Sequence, residues 1–207
     1  MSAMKTMILC GGGMRSLVAT ALVLAEPRKQ VISLLHLVRA GEHAARRLSF
    51  ARRQARHFQT CRLVELAEPD LAPSQDPARF DTLLESILEH AAEAHIDRLI
   101  WPAQFDGDFA RLAAMTEHVM LLRHRLLARG LNVPRIETPL AELTDIQLGE
   151  LGAVMNVPWE LAWSCAGVGE QPCRECAGCR RRAAVFAAML LDDPLLSQGS
   201  MRRQPAR

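Results

Sequence analysis

Tyrosine is absent from this 207-residue chain, and aromatic residues make up only 4% of it. A side chain that often contacts nucleobases is therefore missing. Charge of one sign is missing too: 25 Lys and Arg against 23 Asp and Glu leave +2 with histidine neutral. Such a balance gives no mandate for a nucleic-acid partner. No apolar run approaches the roughly 20 residues that span a bilayer, and Met1–Thr6 does not read as a signal peptide. A cytoplasmic protein with no membrane partner is expected. There is no internal repeat and no linker-like stretch. Residues 1–196 are expected to form one domain, with 197–207 as a disordered tail.

Hydrophobic residues make up 49% of the chain, enough for a globular core. Short apolar runs at Lys5–Cys10, Val31–Leu37, Arg62–Leu66, Arg98–Trp101 and Pro134–Thr138 read as strands. Between them, helical spacing covers Ser16–Leu24, Glu42–Phe58, Phe80–Ala94 and Phe109–Arg129. Thr144 and Gln147 open a further helix as a capping box, and a last helix is predicted from Gly178 to Leu191. This alternation predicts an α/β fold: a five-stranded parallel sheet with helices on both faces. Ligands of such sheets bind beyond the carboxyl ends of the strands. The first strand ends there in Gly11-Gly12-Gly13-Met14-Arg15-Ser16, whose backbone amides and following helix suit an anion. The loop is neither G-x-G-x-x-G nor G-x-x-x-x-G-K-[ST], which excludes the generic dinucleotide and Walker-type readings. A tight strand-to-helix connection would need the same glycines.

Six cysteines are present, and four of them, Cys165, Cys173, Cys176 and Cys179, form W-S-C-x₇-C-x-x-C-x-x-C. Four soft donors at this spacing can converge on one tetrahedral ion, which suits zinc in a closed structural site. Disulfides are disfavoured by the tight spacing and the expected reducing compartment. An iron–sulfur cluster is the other metal reading. Cys10 and Cys61 fall in strand-like runs and read as buried thiols.

Thr138-Pro139-Leu140 with Leu143-Thr144, Leu151-Gly152, Val157-Pro158-Trp159-Glu160-Leu161 and the run from Trp163-Ser164-Cys165 to Cys179-Arg180 point the same way. Together they resemble the 7-cyano-7-deazaguanine synthases of queuosine biosynthesis, in the PP-loop ATP-pyrophosphatase superfamily. The resemblance implies an adenine nucleotide alpha-hydrolase-like fold with a C-terminal zinc knuckle over 163–180. It also implies ATP as co-substrate. In the family reaction ATP adenylates the carboxylate of 7-carboxy-7-deazaguanine, ammonia displaces AMP, and a second activation dehydrates the amide to the nitrile.

The same resemblance places the nucleotide at Gly11, Gly12, Gly13, Met14, Arg15 and Ser16. The family's loop reads Ser-Gly-Gly-x-Asp-Ser, so Gly11 stands for the first serine and Arg15 for the aspartate. A guanidinium about 4 Å from Mg²⁺ costs on the order of 8 kcal/mol at an effective dielectric of about 20. Magnesium is therefore not expected, and Arg15 would pair directly with phosphate. Reduced or altered catalysis follows, and no catalytic residue is assigned. On the substrate side, His43, Arg79, Asp106 and Asp108 match the family's pattern in part and are the substrate-binding candidates. Simpler readings exist: His43 at a helix start, and an Asp-Gly-Asp turn at Asp106–Asp108. Arg46, Arg47, Arg52, Arg53 and Arg56 read as a solvated basic face or a dock for an acidic partner or RNA. Arg180, Arg181 and Arg182 open the last helix, where they offset thiolate charge or mark an anion or partner surface. Trp159 and Trp163 are expected to pack on the knuckle. The alternative functions are a catalytically inactive partner protein in an assembly, a homodimer included, and a zinc-knuckle RNA-binding module.

Overall fold

A computed structural model describes residues 3–59, 61–68 and 77–196, the side chains of 77–79 excepted. The tail expected over 197–207 lies outside these residues. Five strands form one sheet: β1 (Met4–Leu9), β2 (Gln30–Val38), β3 (Cys61–Ala67), β4 (Arg98–Ile100) and β5 (Arg135–Glu137). Their order is β3-β2-β1-β4-β5, and every pairing is parallel. The helices are α1 (Met14–Ala25), α2 (Glu42–His57), α3 (Pro77–Glu93), α4 (Phe109–Ala128), α5 (Asp145–Val154) and α6 (Ala177–Ala188). One 3₁₀ turn, Trp159–Leu161, interrupts the loop that sequence patterning leaves unstructured.

The sheet is buried on both sides because its side chains alternate. Ile8, Leu34 and Ile100 face a core that includes Leu17 and Val18 of α1, Leu148 of α5 and Phe186 of α6. Met7, Leu35 and Leu99 face the opposite core with Leu84 and Leu88 of α3 and Leu122 and Leu126 of α4. Burying each such side chain stabilises by about 1.5–3 kcal/mol, which fixes the side on which each helix packs. After β3 the chain crosses β1 to begin β4, so the strand order reverses beside β1. The crevice at such a reversal is where open α/β sheets bind ligands.

Arg98 opens the apolar strand β4 yet is itself buried. Its Nη1 and Nη2 each donate to Glu26 at 2.7 Å, and its Nε donates to Glu137 at 2.7 Å. These bonds tie the end of α1 to β4 and β5, and they hold the Glu26 carboxyl below its ordinary range. Among the described residues no helix is long and apolar enough to cross a membrane.

Candidate functional site

The glycine loop turns sharply between β1 and α1. Gly12 has φ +70°, and a Cβ there would lie 2.4 Å from the Arg47 carbonyl oxygen of α2. Glycine alone tolerates both the left-handed backbone and that close approach. Gly13 is the N-cap of α1 and supplies no side-chain cap, so the first amides of the helix lack that partner. Ser16 is buried, with its hydroxyl 3.0 Å from the Gly13 carbonyl and 3.1 Å from Gln54 Oε1. It thus faces the protein interior. Met14 is buried as well, whereas Arg15 is exposed. Crowding by protein atoms and the charge of Arg181 push the Arg15 pKa down, while Asp145 pulls it up.

Gln54 organises the underside of this loop. It is fully buried on α2. Its Nε2 donates to Gly13 O at 3.2 Å and to Leu161 O at 2.9 Å, and its Oε1 also lies 3.4 Å from Cys10 Sγ. The backbone amide of Trp163 donates to Gly12 O at 2.8 Å. Loop, α2 and the Trp163 segment are therefore stitched together. The stripe Phe50-Ala51-Gln54-Ala55 is the buried face of α2. A glutamine inside an apolar stripe was the available sequence signal for this role.

Above the loop, at the carboxyl ends of β1 and β2, lies a cleft of about 290 Å³. Its polar lining comes from Gly11, His36, Arg39, His43 and Arg47. Arg47 Nε donates to Gly11 O at 2.9 Å. His36 Nδ1 lies 2.6 Å from Cys10 O. Burial lowers the His36 pKa, and the Arg47 charge lowers it further. A neutral ring that donates through Nδ1 leaves Nε2 as an acceptor. His43 Nε2 lies 3.2 Å from Cys165 O, linking the cleft wall to the cysteine knuckle.

The other substrate-side candidates sit elsewhere. Asp108 is the N-cap of α4 and accepts from the Arg111 amide at 2.9 Å, while Asp106 is exposed with φ +52°. Arg79 lies in the first turn of α3, and its side chain is outside the described residues. A second cleft of about 400 Å³ lies between α4 and β5, with Trp101, Phe105, Met115 and Thr138 in its wall. The arginines of α2 are largely engaged. Arg52 forms a two-pronged pair with Glu65 at 2.8 and 2.9 Å, and Arg46 and Arg53 lie over the rings of Trp163 and Phe50.

In the knuckle the sulfurs of Cys165, Cys173, Cys176 and Cys179 all lie within 4.8 Å of one another. Backbone amides point at them: Gly167 N and Cys173 N at Cys165 Sγ, Cys176 N at Cys173 Sγ, and Ala166 N and Cys179 N at Cys176 Sγ, at 3.1–3.4 Å. Amide donors favour thiolate. They hold the Cys176 thiol down at about 6, and Cys173 is lowered in the same way. Burial, with the neighbouring sulfurs, pushes Cys179 up to about 12. Four converging thiols already receiving amide donors fit a bound metal.

Gly178 is required here, because a Cβ would lie 1.9 Å from the Ser164 carbonyl oxygen. Trp163 packs with Phe50, Cys165 and Cys179, as expected, but Trp159 packs instead in the main core against Phe186. Arg182 is buried, with two bonds to Asp193 at 2.7 and 2.8 Å and others to Ala162 O and Trp159 O at 2.7 and 3.0 Å. It fastens the segment leading into Trp163, and of the three arginines opening α6 only Arg180 and Arg181 are exposed.

Comparison with known proteins matches residues 77–190 to the family described as queuosine biosynthesis protein QueC. The 7-cyano-7-deazaguanine synthase of Thermosynechococcus vestitus is 47% identical over 60 residues, 29% of this chain and 26% of that protein. That of Trichodesmium erythraeum is 41% identical over 61 residues, 30% of this chain and 28% of that protein. These matches thus span about a quarter of the relatives' length. Among solved structures, the U34-tRNA thiolase NcsA from Methanococcus maripaludis with its [4Fe-4S] cluster superposes with a TM-score of 0.55 at 16% identity, over 89% of this chain and 64% of that one. NMN synthetase from Francisella tularensis gives 0.50 at 13% identity, over 99% and 89%. At such identities the likeness establishes the fold alone, a parallel α/β sheet flanked by helices. The match over 77–190 also settles the lineage: this chain belongs to the QueC family.

Proposed function

We propose that this chain binds ATP at Gly11–Ser16 and carries out an altered form of 7-cyano-7-deazaguanine synthase chemistry. The observation that carries this reading is the glycine loop itself. It opens α1 with uncapped amides, at the strand-order reversal, beside a cleft lined by Arg39, Arg47 and His36. In the proposed reaction a 7-carboxy-7-deazaguanine carboxylate attacks the α-phosphorus of ATP and pyrophosphate leaves. Ammonia then displaces AMP to give the amide, and a second adenylation, at the amide oxygen, lets AMP leave with that oxygen to give the nitrile. His43, Arg79, Asp106 and Asp108 are the proposed substrate contacts. Arg15 is the point of departure, because it carries a positive charge where the family reaction has an acid. It favours a second reading, in which nucleotide binds without turnover and the chain serves as a partner protein.

The knuckle is proposed to hold zinc. Bonds of about 2.3 Å to one tetrahedral ion set sulfurs about 3.8 Å apart, and Cys173 and Cys179 are 3.9 Å apart. An iron–sulfur cluster, whose cysteines bind separate irons, holds its thiolates farther apart. Four thiols leave no open position, so the ion supplies a cross-link. Through Trp163 N and His43 the knuckle then braces the glycine loop and the cleft wall.

The test is AMP release with ATP, 7-carboxy-7-deazaguanine and ammonia. AMP formed in step with the nitrile supports the enzyme. ATP binding with no AMP under any condition supports the partner reading, and Arg15→Asp should then restore magnesium-dependent AMP release. Absence of ATP binding refutes both.

A further inference from the structure

The cleft above the glycine loop is cationic in an unusual way: among the described residues no carboxylate lines it. Arg47 reaches into it from α2, and its Nη2 would lie 2.7 Å from a Cβ at Gly11. Of the five N–H donors of this guanidinium, the described hydrogen bond uses only the one on Nε, which is given to Gly11 O. No carboxylate pairs with Arg47 among the described residues. Arg15 and Arg39 both stand close enough for their charges to oppose that of Arg47. Arg39 is paired with Glu68, so part of its charge is already offset. Desolvation and these like charges both act against Arg47, and an anion placed in the cleft would relieve both.

A hydrated divalent cation would meet the opposite situation. It would find three guanidiniums around the loop and, among the described residues, no oxygen donor of negative charge in the cleft lining. The planar fork of Arg47, held against the loop by its Nε bond, is in contrast preset for two phosphate oxygens.

We propose that the cleft takes the phosphates of a nucleotide as the metal-free polyanion, with Arg47 as the resident counter-cation beside Gly11. The proposal rests on the nucleotide reading above and adds the charge state of the ligand and the residue that neutralises it. It also predicts inhibition of binding by magnesium, since chelated ATP carries two fewer negative charges into the same cationic cleft.

The experiment is calorimetric titration of the full chain with ATP and with inorganic pyrophosphate, in EDTA and in excess magnesium. ATP should bind about tenfold more weakly in magnesium. Arg47→Met should weaken binding in EDTA by about 10- to 100-fold and reduce the difference between buffers, while Arg47→Lys should keep more of both. Equal or tighter binding in magnesium overturns the proposal and leaves the nucleotide reading standing. No binding in either buffer overturns both. A thermal melt checks that each variant folds. If Arg47→Met does not, the comparison of the two buffers on the natural chain still decides.

Discussion

Replacing Gln54 by methionine removes one side chain of nearly unchanged volume from beneath the glycine loop. Its four contacts are lost together, and the one from Ser16 Oγ, at 3.1 Å, costs little because that hydroxyl still has the Gly13 carbonyl. The Leu161 carbonyl loses the donor it takes from Gln54 Nε2 at 2.9 Å. Leaving this part-buried acceptor without its donor costs about 1–3 kcal/mol. Gly13 O loses a weaker donor at 3.2 Å but keeps Ser16 Oγ and Leu17 N, and losing such a bond costs about 0.5–1.5 kcal/mol. The contact with Cys10 is long, at 3.4 Å to sulfur, and adds little. The sum is about 2–4 kcal/mol. For a chain of this length that lowers Tm by about 5–15 °C. Differential scanning calorimetry reads it directly, and ATP titration reads whether the loop loses its set geometry. A fall in Tm of less than about 2 °C with unchanged ATP binding would refute the view that Gln54 couples the loop to the Leu161 turn.

Three other outcomes are expected. Gly152→Ala should destabilise by about 1–3 kcal/mol through overpacking, because the new methyl would lie 2.3 Å from the buried Trp159 ring; calorimetry checks it. Elemental analysis should find one zinc per chain, and stripping it should lower Tm and loosen the loop as judged by hydrogen exchange at Gly12 and Gly13; no metal, or iron with sulfide, would contradict the zinc proposal. Stability should also fall on acidification through Glu26. The Arg98 guanidinium lowers its folded pKa below the ordinary 4.5, so its contribution is fully present above that value and is lost as pH falls through the folded pKa. Glu26→Gln should flatten that part of the stability–pH curve in denaturant titrations.

Local pattern determined much of this protein. The strands show as short apolar runs and the helices as segments of period 3.6, because that burial is a property of one segment against a generic core. The capping box at Thr144 and Gln147 is readable for the same reason, as its two bonds close within four residues. The knuckle is legible because metal chemistry dictates which donors must converge, and three of its thiols lie within seven residues. The notation of the glycine loop was legible too, but its surroundings were not.

Tertiary structure alone decided the strand order and the fate of the buried polar groups. Arg47, Arg52 and Arg53 look alike on a basic helix, yet the fold turns Arg47 into the cleft, pairs Arg52 with β3 and lays Arg53 over Phe50. Gln54 meets Leu161 across 107 residues, and His43 meets the Cys165 carbonyl across 122. Arg98 opens a strand that sequence patterning reads as apolar, and Arg182 belongs to an arginine run read as offsetting thiolate charge or marking an anion or partner surface, yet both are buried. A buried polar side chain is stable only where distant carbonyls and carboxylates complete its hydrogen bonds. Those partners are chosen by how the layers stack, which the periodicity of any one segment does not contain.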